Sequence, residues 1–479
     1  MTGLSATALL VRPSYAAAPT AGPEPRRPSA GPAAQNGQPA AVRALERAAH
    51  PLRTTEPGGG RTADLRTLAA MIGDAEVVGL GEATHGSHEF FAMKERLFRY
   101  LVEEKRFTTF ALEMSWTAGL RIDEYLQGGP GSALQVAKEA LAGSPWEREE
   151  FVSLLAWMRR HNDRNPRRRV HFMGNDIGAP RLGSAIFERV LSYVRANRPQ
   201  DLTRLQELYA QLPPIDDAFA YLDRPLAERR RNAVTARQAL DLVATGVKTS
   251  GGKTSTGKTD SGKTGSGKTS TGKTLRQTAG RAGGEASEWA EQHARNIHQT
   301  FAFASLDLSD PQSVSEAERF RDEAMAANTL WWQRRTGDKM LLSAHNGHVG
   351  YLSTDPVMYP TTQGVHLRDA LGNRYVAVGF TFNRGSFLTA TTLGSPWEKV
   401  TVPAAAPDMH EHTLDRVHHR DYYVDLRTLP AAARNWLDTA RPVYDAGSSF
   451  KNDPLPTLAI KTAYDILIHL HRVHAAVPV

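Results

Sequence analysis

The stretch AEVVGLGEATHG, residues 75–86, decides the fold that the sequence predicts. It opens as a compact apolar run, typical of a buried strand, and ends in a polar cluster that contains Glu82 and His85. The next segment, HEFFAMKERLFRYLVEEK at 88–105, places large apolar residues at the three- and four-residue intervals of a helix face. A buried strand followed directly by an amphipathic helix is the repeating unit of an α/β protein.

The same alternation of strand and helix recurs along the chain. A helical pattern covers FVSLLAWMRRHN at 151–162. Strand-like apolar runs occupy 106–116, 168–178, 339–351 and 374–387. We therefore predict an α/β fold with a largely parallel sheet flanked by helices, and with an inserted helical subdomain at about 185–335.

The C-terminal segment LPTLAIKTAYDILIHLHRVHAA, residues 455–476, also has apolar residues at helical spacing. We expect a helix here that packs on the core. Its histidines, His469, His471 and His474, are then expected at the surface.

Residues 246–284 contain a repeated Gly-Lys-Thr unit and hold the basic excess of the chain. The phosphate-binding pattern Gly-x4-Gly-Lys-Ser/Thr matches there in overlapping frames that start at Gly252, Gly257, Gly262 and Gly267. Repetition generates these matches, and no apolar strand precedes them, so we interpret the segment as a disordered basic loop rather than a nucleotide site. The chain carries a formal charge of +7, and this loop alone accounts for it. The composition therefore predicts no specific nucleic-acid partner.

The remaining composition limits the class of protein. With 479 residues and 41% hydrophobic content the chain can bury a large core, and it has no cysteine for disulfides or for a thiol nucleophile. No apolar run reaches the roughly 18 residues that a membrane span needs. Residues 1–44, rich in Ala, Pro and Gly, are predicted to form a disordered tail. We expect a cytoplasmic protein, and the small-residue patch at 16–18 leaves export as the alternative.

Polar side chains follow four of the predicted strands, at the point where each strand ends. They are Glu82 and His85, then Glu113, then Asp176, and finally His345 and His348. In open α/β sheets ligands bind beyond the carboxyl ends of the strands, so a shared sheet edge would bring these distant residues together. Because burying several ionisable groups is costly, the pattern favours a hydrolytic or metal-binding site.

Four motifs, in one order, resemble the erythromycin esterase family. They are GEATHG at 81–86, the glutamate of ALEMS at 113, the pattern Arg-x-x-x-Met-Ala-x-Asn from Arg321 to Asn328, and AHNGHV at 344–349. The resemblance extends from about residue 45 to the C-terminus, outside the Gly-Lys-Thr repeats. It implies an α/β core with a helical insertion and the hydrolysis of a carboxylic ester. In the best-known members that ester is the lactone of a macrolide, and its hydrolysis gives antibiotic resistance.

The resemblance also implies roles for individual residues. His85 is the expected general base, and the rest of the expected catalytic set is Glu82, Glu113, Arg321, His345 and His348. We expect the substrate contacts to be Asp176, Asn328 and Trp116. No cofactor is expected, and the expected partner is a small-molecule ester.

The chemistry of ester hydrolysis fits these residue types. The reaction needs a water molecule that is deprotonated near neutral pH, and an imidazole with a pKa near 6.5 suits that task. Glu82 or Glu113 would orient His85, while Arg321, His345 or His348 would meet the negative charge that develops on the ester oxygen. A serine mechanism is disfavoured, since the chain has no Gly-x-Ser-x-Gly sequence.

Two alternatives stay open on the sequence. A metal-dependent hydrolase would draw zinc or manganese ligands from His85, His88, Glu89, Glu113, His345 and His348. A non-catalytic binding protein would keep the cleft and use the basic loop to dock on an acidic partner.

Overall fold

A computed structural model describes residues 37–58, 60–178, 182–250, 271–392, 395–450 and 453–479. Residues 1–36 of the predicted tail lie outside these ranges, together with the patch at 16–18 on which the export alternative rests. Residues 251–270, which contain most of the Gly-Lys-Thr repeats, also lie outside the described residues.

The described chain divides into two compact units. One is formed by the chain up to Asp176 together with Leu308–Val479, and the other by Ile177–Asp307. The strands are β1 (His50–Pro51), β2 (Val77–Leu80), β3 (Phe107–Ser115), β4 (His171–Asp176), β5 (Lys339–Ser343), β6 (Tyr375–Ala390), β7 (Trp397–Val402), β8 (Tyr422–Asp425), β9 (Arg441–Pro442), β10 (Thr457–Leu458) and β11 (Ile466–Val473). The helices are α1 (Gln38–Ala48), α2 (Leu65–Ile72), α3 (His88–Lys105), α4 (Trp116–Leu126), α5 (Ala133–Ala140), α6 (Glu149–Arg164), α7 (Ser184–Asn197), α8 (Pro199–Tyr209), α9 (Ala218–Leu222), α10 (Leu226–Ser250), α11 (Thr271–Ala304), α12 (Pro311–Thr336), α13 (Asn346–Val349), α14 (Gln363–Leu371), α15 (His410–Leu414), α16 (Ala431–Asp438) and α17 (Ile460–Ala463).

In the described part of the chain, nine strands form one mixed sheet. Their order is β1-β8-β11-β6-β2-β5-β3-β4, with β7 paired to β6. The pairs β11–β6, β6–β2, β2–β5, β5–β3 and β3–β4 are parallel. Antiparallel pairing occurs at β1–β8, β8–β11 and β6–β7. The predicted α/β fold with a largely parallel sheet is confirmed.

The centre of the sheet is apolar for a physical reason. The residues of β2, Val-Val-Gly-Leu, are all buried, because helices cover both faces of a parallel sheet and leave no side for polar residues. Gly79 allows a close neighbour within this strand, since a Cβ atom there would lie 2.3 Å from the hydroxyl of Tyr375. The polar residues are therefore displaced to the ends of the strands.

The prediction of a helix over 455–476 is wrong. Residues Ile466–Val473 form β11, which lies between β6 and β8 in the sheet. Its first five residues are all buried, as expected for a strand with neighbours on both edges, and this tertiary pairing overrides the local helical spacing. Consequently His469 is fully buried and His471 is partly buried, whereas His474 is exposed.

The predicted strand at 339–351 is shorter in the structure. β5 ends at Ser343, and the single-turn helix α13 follows after two residues. Because the chain turns here, His345 and His348 are not forced onto opposite faces, as the alternation of a continuous strand would require.

The second unit is helical in its described part. It contains α7, α8, α9, α10 and α11, and α10 packs along α11. The sequence placed α12 in the inserted subdomain at about 185–335, but this helix belongs to the sheet unit and packs on β4, because its buried face includes Arg321 and Asn328. The disordered loop predicted at about 246–284 overlaps two helices, since α10 continues to Ser250 and α11 begins at Thr271.

The disordered tail predicted for residues 1–44 overlaps a helix, so that prediction is wrong for residues 38–44. α1 begins at Gln38, because small and apolar residues at helical spacing can pack on the core. The buried residues of α1 are Ala41, Val42, Ala44 and Leu45. Among the described residues, no helix combines the length and the apolar character needed to cross a bilayer.

Gly119 of α4 lies directly on the backbone of β4. A Cβ atom at this position would lie 2.0 Å from the backbone nitrogen of Gly174. We expect Gly119→Ala to lower the free energy of unfolding by roughly 3 kcal/mol, because backbone atoms of β4 must move to admit the methyl group. Urea unfolding followed by circular dichroism measures this loss. Gly58→Ala is the control, since an added Cβ there meets nothing within 4 Å; equal stability losses in the two variants would contradict the prediction.

Candidate active site

Ionisable side chains cluster at the carboxyl edge of the central strands. The strands β2, β5, β3 and β4 are neighbours in that order and end at this edge. The residues that end or follow them are Glu82 with His85, His345, Glu113 and Asp176. The structure therefore brings these predicted residues together, as the topology of a parallel sheet leads us to expect.

His85 and Glu82 form a buried pair joined by a hydrogen bond. The Nδ1 atom of His85 lies 2.6 Å from Oε1 of Glu82, and the two residues are 1% and 0% exposed. Backbone hydrogen bonds hold their loop in place: His85 N donates to Ala446 O at 3.1 Å, and Ala446 N donates to Ala83 O at 2.8 Å. With Nδ1 engaged by Glu82, Nε2 is the nitrogen of His85 that remains for proton transfer.

Lys94 belongs to this cluster, although the motifs did not reveal it. Its ammonium group donates to Oε2 of Glu82, and its side chain is buried. Burial alone would raise the pKa of Glu82, but the Lys94 ammonium and the hydrogen bond from His85 hold this pKa below its usual value. The sequence carried a signal, because Lys94 falls one turn after Phe90 on the apolar face of α3. A charged residue at such a position requires a buried partner.

His345 lies beside His85 and is held from two sides. The two imidazole centroids are 4.9 Å apart, and His345 N donates to Oε2 of Glu113 at 2.8 Å. Its Nε2 atom is 2.9 Å from Oδ1 of Asp445, an ion-pair distance, although the direction of approach does not meet hydrogen-bond geometry. Burial lowers the pKa of His345, but the Asp445 carboxylate outweighs burial and raises this pKa above its usual value. Asp445, which accepts a 2.5 Å hydrogen bond from Thr354 Oγ1, lies outside every motif and was missed.

Arg321 is buried and binds two carboxylates. Its guanidinium donates to both oxygens of Asp176, with 2.6 Å between Nη2 and Oδ2. Nη2 also donates to Oε1 of Glu113 at 3.1 Å. Burial would raise the pKa of Glu113, but His348 and the neighbouring cations hold that pKa well below its usual value. These contacts fix α12 against the ends of β3 and β4.

His348 faces carboxylates through both ring nitrogens. Nδ1 is 2.8 Å from Oδ1 of Asp322, and Nε2 is 3.2 Å from Oε1 of Glu113. Burial would lower the pKa of His348, but these two carboxylates raise it well above its usual value. The neighbouring Glu318 has no hydrogen-bond partner at Oε2 among the described residues, and burial raises its pKa to about 7 even though Arg321 lies 3.7 Å away. Asp322 and Glu318 were missed because they lie beside, not at, the motif positions.

Two of the predicted substrate contacts lie in the packed core. Asn328 is fully buried and donates its side-chain amide to the carbonyl of Asn175 at 3.0 Å, which ties α12 to β4. Trp116 is 1% exposed and packs edge-on against Trp331 and Trp332, with ring centroids 5.8 and 6.1 Å away. These contacts give both residues a structural role, and their contact with a substrate stays a prediction.

Two of the six residues considered as metal ligands have other partners. His88 lies between Glu56 and Glu150, with 2.9 Å from its Nε2 and 2.7 Å from its Nδ1. Glu89 accepts a hydrogen bond from His474 N at 2.7 Å. Within the described ranges, no three His, Asp or Glu side chains are arranged to hold a metal ion.

Known proteins are similar to this chain in sequence and in fold. A model of the erythromycin esterase family matches residues 102–473. Erythromycin esterase type II of Escherichia coli is 25% identical over 345 residues, which cover 67% of this chain and 72% of that relative.

Solved structures show the same similarity. The crystal structure of a Bacillus cereus protein gives a TM-score of 0.77 at 26% identity, and the match covers 92% of this chain and 99% of that one. An erythromycin esterase mutant in its open conformation gives a TM-score of 0.60 at 17% identity, with 88% and 96% covered. At 17% identity, the similarity to this mutant structure shows a shared fold.

Removing the Lys94 cation tests how the Glu82 carboxylate is held. We expect Lys94→Met to lower the free energy of unfolding by about 3–5 kcal/mol, because a buried carboxylate then lacks its cation. The double variant Glu82→Gln/Lys94→Met removes both charges and should recover at least about half of that loss. Urea unfolding of both variants and the unchanged chain at pH 7 measures the difference. Equal losses in the single and double variants would show that the charge pair is not what holds this region.

His88 makes a contact whose strength depends on pH. Its hydrogen bond to Glu150, together with a second one to Glu56, raises its pKa from 6.5 to about 9. A raised pKa in the folded state contributes stability that is complete below pH 6.5 and disappears as the pH rises towards 9. We expect His88→Gln to cost about 1–2 kcal/mol at pH 6, allowing for the 32% exposure of the side chain, and much less at pH 9. Urea unfolding at the two pH values checks this, and a loss that does not change with pH would contradict it.

Proposed function

The chain belongs to the erythromycin esterase family, and we propose on that premise that it hydrolyses a carboxylic ester with a water molecule activated by His85. Family membership supports a hydrolase that resembles these esterases, and the role of His85 is the proposal. The observation that carries it is the buried pair of His85 Nδ1 and Glu82 Oε1, 2.6 Å apart.

The Glu82 carboxylate prepares His85 for proton transfer. It accepts the hydrogen bond from Nδ1–H, which leaves the lone pair of Nε2 to take a proton from water. The water oxygen forms a bond to the carbonyl carbon of the ester as its proton moves to Nε2. His85 then carries a positive charge, which the adjacent carboxylate stabilises.

The charge of the surrounding cluster favours the same step. Its carboxylates are Glu82, Glu113, Asp176, Asp322 and Asp445, and its cations are Lys94, Arg321, His345 and His348. The raised pKa values of the last two favour their protonated forms. The carboxylates of the cluster outnumber its lysine and arginine, so the positive charge that forms on His85 during the reaction has carboxylates nearby to stabilise it. Ionisation of Glu318, whose pKa is about 7, adds to the same effect.

We propose His345 as the group that meets the negative charge on the ester oxygen, because it lies beside His85 and its Nε2 has no hydrogen-bond partner among the described residues, although Asp445 is near. Arg321 donates from Nε and Nη2 to carboxylates, and both nitrogens of His348 face carboxylates. The side chain of His345 is 11% exposed, against 5% for His348 and 2% for Arg321. We assign to His345 the stabilisation of the oxyanion. When the carbonyl re-forms and the bond from its carbon to the leaving oxygen breaks, His345 gives its proton to that oxygen and regains one from protonated His85, whose ring centroid lies 4.9 Å away.

A small-molecule ester is the proposed substrate, with a macrolide lactone as the first candidate. That candidate comes from the erythromycin esterase of Escherichia coli to which the chain is 25% identical. The same fold and site can serve several esters, so the substrate has to be identified by experiment.

Hydrolysis of a macrolide lactone by the purified full chain tests the proposal, with mass spectrometry to detect the addition of one water. We expect His85→Gln to reduce kcat by about 10²- to 10⁴-fold, the range for loss of a general base. His418→Gln is the matched control, because its imidazole is 61% exposed, and it should keep full activity. Treatment with a chelator should also leave the activity unchanged.

Each other outcome removes a different part of the proposal. Full activity of His85→Gln would exclude His85 as the base, and loss of activity on chelation would favour the metal-dependent alternative. Turnover of simple esters but not of macrolides would remove the macrolide alone. A protein that turns over neither would support the non-catalytic alternative.

A further inference from the structure

A cavity lies at the amino ends of β3 and β4, the sheet edge opposite to the ends that hold Glu113 and Asp176. Its volume is about 680 Å³, and its charged lining consists of Arg106, His161, Arg167, Arg168, Arg169 and His171. We propose that this basic cavity binds a compact polyanion with two or more phosphate groups. The proposal is independent of the esterase reaction, because the two sites lie at opposite edges of the sheet.

The cavity carries positive charge that the protein leaves unpaired. Its lining includes no acidic residue. The guanidinium groups of Arg106, Arg167 and Arg168 make no hydrogen bond or ion pair with the residues that the structure describes, whereas Arg169 donates to the carbonyl of Gln127 at 3.0 Å. Three guanidinium groups are therefore available to a ligand.

Carboxylates nearby form no ion pair with these three arginines in the part of the chain that the structure describes. Asp163 pairs with Arg159 at 3.1 Å, and Asp338 accepts a 2.7 Å hydrogen bond from the hydroxyl of Thr109. Asp123 accepts a 3.0 Å hydrogen bond from a backbone N–H of β4. The lining of the cavity itself therefore carries a net positive charge.

Arg106 adopts a backbone conformation that favours glycine. It follows the last residue of α3 with φ 59° and ψ 34°, and among the described residues it is the non-glycine residue with positive φ. Helices commonly end with glycine at this position, because a side chain there is strained. Backbone strain that is retained at a cavity indicates a functional role for the side chain. Here that role is to supply a guanidinium group, which glycine lacks.

The geometry of arginine suits phosphate oxygens. Each guanidinium offers parallel N–H donors that bind a phosphate through two hydrogen bonds, and it stays charged at physiological pH. Arg106 comes from the end of α3, while Arg167 and Arg168 come from the turn after α6, so two separate segments of the lining supply the donors. Two or more linked phosphates match this arrangement better than one, and a volume of about 680 Å³ lies in the usual range for small-ligand sites.

Isothermal titration calorimetry of the full chain with inorganic triphosphate, at physiological salt, tests the proposal. We expect Arg167→Gln/Arg168→Gln to weaken binding by at least about tenfold, because two charged hydrogen-bonding groups are lost. The control variant Arg43→Gln/Arg47→Gln removes the same charge from exposed positions of α1 and should bind like the unchanged chain. Inorganic sulfate should bind at least about tenfold more weakly than triphosphate, because it cannot span the arginines.

Arg106→Gly separates ligand binding from folding. Glycine relieves the left-handed strain, so we expect Tm to stay the same or to rise by about 1–2 °C, while triphosphate binds about fivefold more weakly. If Arg106 instead stabilised the folded state, its replacement would lower Tm.

Three results would overturn the proposal. Equal binding by the unchanged chain and Arg167→Gln/Arg168→Gln would place the anion elsewhere, for example on the lysines of residues 248–273. Equal affinity for sulfate and triphosphate would show that the cavity attracts anions in general and has no preference for linked phosphates. The absence of both heat and a Tm shift at millimolar triphosphate would exclude a site.

Discussion

Glu113 is a carboxylate without solvent exposure, and its need for donors shapes the carboxyl edge of the sheet. It lies in β3, yet it accepts hydrogen bonds from Arg321 of α12 and from the backbone of His345 after β5, which are 208 and 232 residues away along the chain. It also faces His348 of α13. A buried carboxylate without such partners would cost several kcal/mol. Folding of the sheet and assembly of the site are therefore coupled through one side chain.

The buried ionisable groups at this edge differ in how easily they can gain or lose a proton. Arg321 and His348 have their nitrogens directed at carboxylates, so moving a proton there would leave a buried charge unpaired. His85 uses one nitrogen for Glu82 and keeps the other. A reaction that moves a proton needs a group with one free nitrogen, as in His85, placed in the electric field of fully paired charges such as Arg321 and His348. The fully paired charges thus hold the site in place, while His85 is the group to which we assign the proton transfer of the proposed reaction.

The centre of the fold was predictable because strands buried on both faces are apolar runs that alternate with amphipathic helices. Strand β11 was not predictable, because histidines such as His469 interrupt its apolar pattern, and its place inside the sheet depends on pairing with β6 and β8. In the site, motifs identified His85 and Arg321, whereas Lys94 and Asp445 belong to no motif. Lys94 could have been found as a charge on the apolar face of α3. Asp445 could not, because backbone hydrogen bonds with the distant His85 loop set the place of its segment.

Parallel strands and their helices also separate charge between the two edges of the sheet. α3 and α4 begin at the carboxyl edge, where helix N-termini favour anions such as Glu82 and Glu113, and α3 and α6 end at the amino edge, where C-termini favour cations. The helix dipole therefore accounts for the sign of the charge around the basic cavity. It does not account for guanidinium groups without partners, or for the strained backbone of Arg106. An anion at this edge approaches two negative helix ends, so it binds only where several cations outweigh them. Several arginines around the cavity meet that electrostatic requirement. One of them, Arg106, is kept although its backbone is strained.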